Sequence, residues 1–337
     1  MNLLLTSAGK AVCLMRYFKK ALGGSGDLHA ASDKDRSPAF IYADKSIVTP
    51  NAHDEEYIPF LLGYCTENHI EAVIPFADSD LRPLASNKKL FEKIGVKVIV
   101  SDIETVSVCC DKWQTYNFCL KNNIRVPNTY LSVEDALSDI KMSAVSYPLI
   151  VKPRWGYGSL YVFEADDEEE LKIFFNKIRK CVMSSDLRHE AGATDDNVVI
   201  QKKLTGQEYG MDVINDLGSN YMNSIIKVKY SMRSGSTEFG EVVDNAELKK
   251  FGAFLSERIR HIGNLDVDLF MEGDSPYLLE MNPRFGGGYF FSHMAGADLP
   301  LAIVRWLNNE PVAPDLFKEK YGVVSHKFID IVKVAAP

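Results

Sequence analysis

Residues 278–288, LLEMNPRFGGG, place Glu280, Asn282 and Arg284 two positions apart at the end of an apolar run. Strand side chains alternate faces, so Glu280 and Asn282 share a side. Upstream lies LDVDLFM, joined to this run by EGDSP, residues 272–276, which is rich in turn-forming types. A hairpin symmetric about Asp274 sets Met271 opposite Tyr277 and Asp268 opposite Glu280. Two facing carboxylates repel. A hard divalent cation removes the conflict, because Mg²⁺ takes carboxylate oxygens together with phosphate oxygens and water. Asp268, Glu280 and Asn282 are therefore candidate metal ligands. A half-exposed hairpin with a polar face is the competing reading. Arg284 has the forked, permanently charged head that suits phosphate. Beside a metal it would stabilise a transferring phosphoryl group. The glycines at 286–288 fit an anion nest or a flexible loop.

Two further stretches carry weaker signals of the same kind. In VKPRWGYGS, residues 151–159, Lys152 closes an apolar strand, where a charge needs a partner such as a nucleotide phosphate. Gly156 and Gly158 would let the loop close over phosphates, although a hairpin turn accounts for them equally. In VVIQKKLTGQEYG, residues 198–210, Gln201 and Glu208 flank a strand and a glycine turn. A carboxylate there suits ribose hydroxyls, and strand-end backbone groups suit an adenine edge. An ordinary edge strand is the alternative.

Elements must hold these groups in place. Residues 1–100 alternate short apolar runs with helical segments, a β-α-β pattern that implies a parallel sheet covered by helices. TSAGK (6–10) and PFADSD (75–80) fall at strand ends, where such sheets bind ligands. Neither is a GxGxxG or a P-loop, since Ala11 follows Lys10. After residue 100 come short helices, a strand at 147–153 with a return strand, and the amphipathic helix DDEEELKIFFNKIRKCVMSS. RHEAGATDD (188–196) reads as a mobile loop. More strands, a helix and the hairpin follow. The start, MNLLLTSAGK, reads as a first strand and not as a signal peptide.

The 337 residues are 46% hydrophobic, enough for two or three globular domains. A net charge of −8 disfavours a nucleic-acid scaffold. No apolar run is long enough to span a membrane. Six scattered cysteines with no CxxC pair suggest free thiols in a reducing cytoplasm.

Taken in order, Asp111-Lys112, the Lys152-Pro153 strand with its glycine loop, Gln201-x-x-x-x-Gly206-x-Glu208, and Asp268…Glu280-x-Asn282-Pro283-Arg284 resemble an ATP-grasp enzyme. The match covers about residues 111–310. By pattern it is similar to carbamoyl-phosphate-synthase large-subunit-like enzymes and to amino-acid ligases of the pyrrolysine-biosynthesis type. The resemblance implies a mixed α/β and α+β fold. A Rossmann-like domain at 1–105 precedes a small ATP-grasp subdomain at 106–200, with linker helices and phosphate loop, and a C-terminal subdomain at 201–337 with the metal site. It further implies that Lys112 and Lys152 contact ATP phosphates and that Gly156, Gly158 and Ser159 form the phosphate loop. Gln201 would lie near adenine, Lys203 and Leu204 would read its edge through the backbone, and Glu208 would bind ribose. Asp268, Glu280 and Asn282 would hold Mg²⁺, or Mn²⁺ in its place, and Arg284 would steady the γ-phosphoryl group.

The implied activity is an ATP-dependent carboxylate–amine ligase that works through an acyl-phosphate on a small carboxylate or amino acid. A homodimer is left open. Two departures bear on it. The loop WGYGS is leaner in glycine than in many members. No glutaminase domain or second synthetase half is present, so carbamoyl-phosphate synthesis by this chain alone is not expected. Without a biotin-carrier motif, biotin carboxylation ranks low. An ATP-binding carbamoyl-phosphate-synthase-like subunit, or a nucleotide-binding regulatory protein without turnover, is the alternative. For the acceptor carboxylate, Arg233 is favoured among Lys227, Lys229 and Arg233, with a solvated basic strand as the competing reading. His293 is a weaker candidate.

Overall fold

The structure, a computed structural model, describes residues 1–191 and 194–334. The first unit contains β1 (Asn2–Thr6), β2 (Leu28–Ser32), β3 (Lys45–Val48), β4 (Ile70–Pro75) and β5 (Lys97–Val98). They form a parallel sheet in the order β3-β2-β1-β4-β5. Leu3, Leu4 and Leu5 are fully buried, as expected of a strand covered on both faces. The helix Val12–Leu22 buries Leu14, Met15, Phe18 and Leu22, one helical stripe, against it. The strand order reverses between β1 and β4, so a crevice opens at their C-terminal ends. Asp80 shapes that crevice. Its fully buried carboxylate accepts from Thr6 Oγ1 at 2.7 Å, Ser7 Oγ at 2.8 Å and Tyr57 OH at 3.0 Å. Burial pushes its pKa up to about 6, and the three hydroxyls limit the rise.

The second unit contains β6 (Thr129–Tyr130), β7 (Leu149–Pro153), β8 (Phe163–Ala165) and β9 (Val198–Lys202), an antiparallel sheet in the order β6-β9-β7-β8. The helix Glu168–Met183 packs on it through Leu171, Ile178 and Val182. Asp167 caps that helix, and three glutamates occupy its first turn.

The third unit contains β10 (Gln207–Asn215), β11 (Tyr221–Arg233), β12 (Ser236–Val243), β13 (Gly263–Glu272), β14 (Ser275–Asn282) and β15 (Val323–His326), in the order β14-β13-β10-β11-β12-β15. Strict alternation splits this sheet into two faces. Met211, Val213, Ile226, Leu265, Val267, Leu269 and Met281 pack under the helix Ala246–Ile259. The residues between them, including Asp212, Lys227, Lys229, Asp266, Asp268, Glu280 and Asn282, all point the other way.

Three expectations need correction. The linker helices Ile103–Cys110 and Lys112–Lys121 bury Cys109 and Cys119 in the core of the third unit, not the second. The boundary at 200/201 falls inside β9. RHEAGATDD includes a helical turn at Arg188–Ala191, while 192–193 lie outside the described residues. The first unit also does not stand apart. Phe18 packs with Phe285 and Tyr289 in a core shared with the helix Leu299–Leu307. Among the described residues no helix is long and apolar enough to cross a membrane.

Candidate active site

The hairpin β13–β14 turns at Gly273–Asp274, two residues in place of the five expected at 272–276. Glu272 pairs with Ser275 and Met271 with Pro276, and Gly273 takes a left-handed φ of +61°. Met271 therefore does not oppose Tyr277, as expected from symmetry about Asp274. Leu279 then bulges out of the ladder, and beyond it Asp268 faces Glu280 and Asp266 faces Asn282. The expected pair of carboxylates is present, and Asp266 joins it on the same face.

That face forms one wall of a cleft of about 690 Å³ between the second and third units. Lys112, Lys152, Gly156, Gly158, Ser159, Gln201, Lys203, Leu204, Glu208, Asp268, Glu280, Asn282 and Arg284 all border it. Residues from five separate stretches of sequence thus converge on one space.

The cationic end is built around two lysines. Lys152 comes from the end of β7, is 6% exposed and has no carboxylate within 4 Å among the described residues. Burial, then the neighbouring Lys112 ammonium, lowers its pKa to about 8, and Glu280 and Asp268 pull only partly against them. Lys112, the first residue of its helix, donates to the Gly156 carbonyl at 3.0 Å and lies 3.7 Å from Glu280. A buried ammonium without a counter-ion calls for an anion.

The loop that carries Gly156 is braced from below. Arg154 donates Nε and Nη2 to the two oxygens of Asp111, each at 2.7 Å, and Asp111 also caps the Lys112–Lys121 helix. The loop reaches across the cleft to the turn between β11 and β12. There a Cβ on Gly235, whose φ is +71°, would lie 2.5 Å from the Gly158 carbonyl carbon. Gly156 and Gly158 take positive φ, +149° and +62°, and so do Ser159 and Tyr161, at +55° and +57°, so only two of the loop's four positive-φ positions are glycine.

On the third-unit wall, Lys229 donates to Asp268 at 2.6 Å and to Glu208 at 2.8 Å. Burial opposes the charged form of Lys229, but Asp268 and Glu208 outweigh it and hold its pKa above the ordinary lysine value. Gly210 beneath it leaves room for the stem; a Cβ there would meet Lys229 Cε at 3.1 Å. Lys227 is buried against Asp212 and Ser292. Arg284 is held by Asp78 at 2.9 and 3.0 Å and by Asp266 at 3.1 Å. Burial, with the Asp268 carboxylate beside it, raises the Asp266 pKa to about 6 against the pull of Arg284. The glycine run is not a loose loop. A Cβ on Gly286 would fall 2.0 Å from the Asp266 carboxylate, and one on Gly287 would fall 2.2 Å from Ser236 Oγ.

Among the described residues no three His, Cys, Asp or Glu side chains converge to hold a metal. A cation in this cleft would rely on Asp268, Glu280, the Asn282 amide oxygen and oxygens from a ligand. That donor set is hard and incomplete, which fits Mg²⁺ shared with phosphate. Gln201 is 2% exposed. Its Nε2 donates to Thr129 at 2.9 Å, while its buried Oε1 has no partner among the described residues. An amino group on a bound base would supply one.

Two expected residues are not brought to the site. Bulges around Ser231 put both Lys229 and Met232 on the cleft side and turn Arg233 outward. Its side chain is 61% exposed and pairs with Glu238 at 3.4 Å, so Arg233 does not border the cleft. His293 stacks on Tyr17 at 3.6 Å, and burial lowers its pKa. It joins the first unit to the third. The residues missed are Asp78, Asp266 and Arg154; Asp111 belongs to the Asp-Lys motif, but its bracing of Arg154 was not expected. The alternation that selected Asp268 also points to Asp266, two positions before it. Nothing local marks Asp78 as the partner of Arg284.

A family model described as an ATP-grasp domain matches residues 109–288, and one described as PylC-like, N-terminal domain matches residues 3–99. Among solved structures, biotin carboxylase from Campylobacter jejuni aligns with a TM-score of 0.73 at 16% identity, covering 94% of this chain and 73% of that one. L-amino acid ligase from Bacillus licheniformis aligns with a TM-score of 0.68 at 19% identity, over 91% of this chain and 75% of that one. N5-carboxyaminoimidazole ribonucleotide synthetase from Thermotoga maritima gives 0.64 at 18% identity, over 94% and 78%. At these identities the likeness is one of fold.

Proposed function

The chain belongs to the ATP-grasp family, and from that premise we propose that it is an ATP- and Mg²⁺-dependent ligase joining a small carboxylate to an amine. The observation that carries this reading is the meeting, at one end of the cleft, of two buried lysines with a facing pair of carboxylates. Lys112 and Lys152 supply positive charge for the phosphates. The partnerless Gln201 oxygen and the residues Lys203 and Leu204 border the same cleft and offer a place for a base. Lys203 directs its ammonium away to Glu164, at 2.7 Å, which leaves its backbone for the cleft.

In the proposed reaction an oxygen of the substrate carboxylate attacks the γ-phosphorus of ATP in line. The bond to the β–γ bridging oxygen breaks and ADP leaves. The amine nitrogen then attacks the acyl carbon, inorganic phosphate departs and the amine gives up its surplus proton, leaving an amide. Mg²⁺, held by Asp268, Glu280 and Asn282, would offset charge on the phosphate oxygens. Arg284 contributes positive charge at the same end, fixed in direction by Asp78 and Asp266. The loop from Gly156 to Ser159, resting on Gly235, keeps water from the acyl-phosphate.

A nucleotide-binding subunit without turnover would have little use for a carboxylate pair and an arginine clamped at the phosphoryl end. The similar structures include an L-amino acid ligase and a biotin carboxylase, and that likeness of fold supports the reading by analogy. The test is a pairwise screen of amino acids and small carboxylates for phosphate release from MgATP. At least one pair is expected to stimulate release, and a screen without any stimulating pair returns the chain to the binding-subunit reading.

A further inference from the structure

One cation beside the cleft has no role in the chemistry above. Lys327 follows β15, and its backbone amide donates to the Glu238 carbonyl at 2.8 Å, which extends the edge of the sheet. Its ammonium turns inward. Nζ donates to Ser236 Oγ at 2.6 Å and lies 5.5 and 5.6 Å from the ring centres of Phe290 and Phe291. Ser236 and Gly287 both border the cleft, and Gly287 leaves the opening to Lys327. A Cβ there would stand 3.4 Å from Nζ. Among the described residues no carboxylate comes within 4 Å of Nζ, whereas Lys227, Lys229 and Arg284 on the same side are each paired with at least one. Burial, with Lys227 and Lys229 adding to it against the pull of Asp266, lowers the Lys327 pKa to about 8.

We infer that Lys327 and the Ser236 hydroxyl form the binding point for a carboxylate of the small-molecule substrate, at the Gly287 end of the cleft. The two donors lie within hydrogen-bond distance of each other, so one carboxylate can accept from both. The phenyl rings on one side and the glycine on the other leave a narrow approach that favours a small, flat anion. The site is next to the Gly286–Gly288 run that touches Asp266, the partner of Arg284, so the bound group would lie beside the phosphoryl end. Arg233, the residue favoured by sequence for this task, faces solvent. The inference rests on the ligase reading for the identity of its ligand.

The experiment is calorimetry on the full chain saturated with MgADP, titrated with the common L-amino acids, their D-enantiomers and, for each binder, the corresponding carboxamide. The acid should bind and its amide should bind at least about 10-fold more weakly, the size expected for loss of a charge-assisted hydrogen bond. Lys327→Met keeps the stem and should weaken the acid by about 10-fold or more, leaving MgADP affinity unchanged within two-fold. Lys327→Arg should recover part of the loss, and Ser236→Ala should lose a smaller share. Acid affinity unchanged in Lys327→Met, MgADP affinity falling with it, or a panel with no binder would each overturn the inference. Failure of the ligase reading looks different. The wild-type chain would then bind the acid with this pattern and release no phosphate from ATP with any amine.

Discussion

Arg284 donates Nε and Nη2 to the carboxylate of Asp78 at 3.0 and 2.9 Å, joining residues 206 positions apart. Asp78 begins the helix Asp78–Lys93, just after β4, so the parallel sheet of the first unit fixes the direction of the arginine in the third. Asp78→Asn should destabilise the chain by about 2 kcal/mol, since a buried charged hydrogen-bond pair is lost while Asp266 still holds Nη1. Urea unfolding measures this. An unchanged midpoint would show that the pair contributes nothing to the junction.

Lys152 links nucleotide binding to pH. Its pKa is lowered to about 8 in the fold, below that of an unfolded lysine. Between those values the unfolded chain binds more protons, so stability of the nucleotide-free protein should rise with pH across that window. The cost of burying this charge is fully present below pH 8. Lys152→Met should therefore stabilise the empty protein at pH 7, with the gain shrinking as pH passes 8 and 10. The same change should weaken ATP binding, because the phosphates need the charged form. Calorimetry at pH 8.5 in buffers of different ionisation enthalpy should detect proton uptake on ATP binding, and none if Lys152 is not a phosphate contact.

Glu280→Gln tests the proposed metal position. The amide keeps the size and hydrogen-bonding capacity of the side chain but removes half of the facing carboxylate pair. ADP release driven by Mg²⁺ should fall by 100-fold or more, roughly the scale seen when a charge-stabilising group is lost. The melting temperature should hold or fall slightly, because relief of repulsion with Asp268 is offset by lost attraction to the buried Lys112, 3.7 Å away, and to Lys152. Retained turnover would remove Glu280 from the metal site.

Gly235→Ala addresses the closed phosphate loop. The new Cβ has a positive φ and lies 2.5 Å from Gly158, so the loop must move. KM for ATP should rise several-fold, with a loss of stability of about 1–3 kcal/mol. Proteolysis near 156–161 should accelerate. Unaltered ATP kinetics would mean that the contact does not hold the loop.

Arg233→Ala should change neither KM nor kcat by more than about two-fold, because exposed ion pairs contribute little. A large loss would return Arg233 to the substrate site and displace Lys327 from that role.

How much was legible beforehand varies with the range of the interaction. The parallel sheet follows from the β-α-β succession of apolar runs and helices, and the hairpin and the facing of Asp268 and Glu280 from turn residues and period-two alternation, all of them local signals. Even so, that facing depends on two departures that offset each other. The turn at Gly273–Asp274 shifts the pairing by one residue from symmetry about Asp274, and the bulge at Leu279 restores it. At Arg233 the bulges near Ser231 turn the side chain out to solvent, and nothing in the local sequence marks those bulges. Asp78 and Lys327 were not marked as site residues, because what defines them is contact with segments about 200 and 90 positions away. The glycine run reads as a loop in one dimension. Only contact with Asp266 and Ser236 shows that side chains would not fit there.

The most direct test of the central claim follows oxygen from the carboxylate. With a substrate pair from the screen, the carboxylate is labelled with ¹⁸O and the released phosphate is examined by mass spectrometry. Attack of the carboxylate on the γ-phosphorus predicts one labelled oxygen in each phosphate, dependent on Mg²⁺ and lost in Glu280→Gln. Unlabelled phosphate during amide formation would contradict the acyl-phosphate route and with it the function assigned to this cleft.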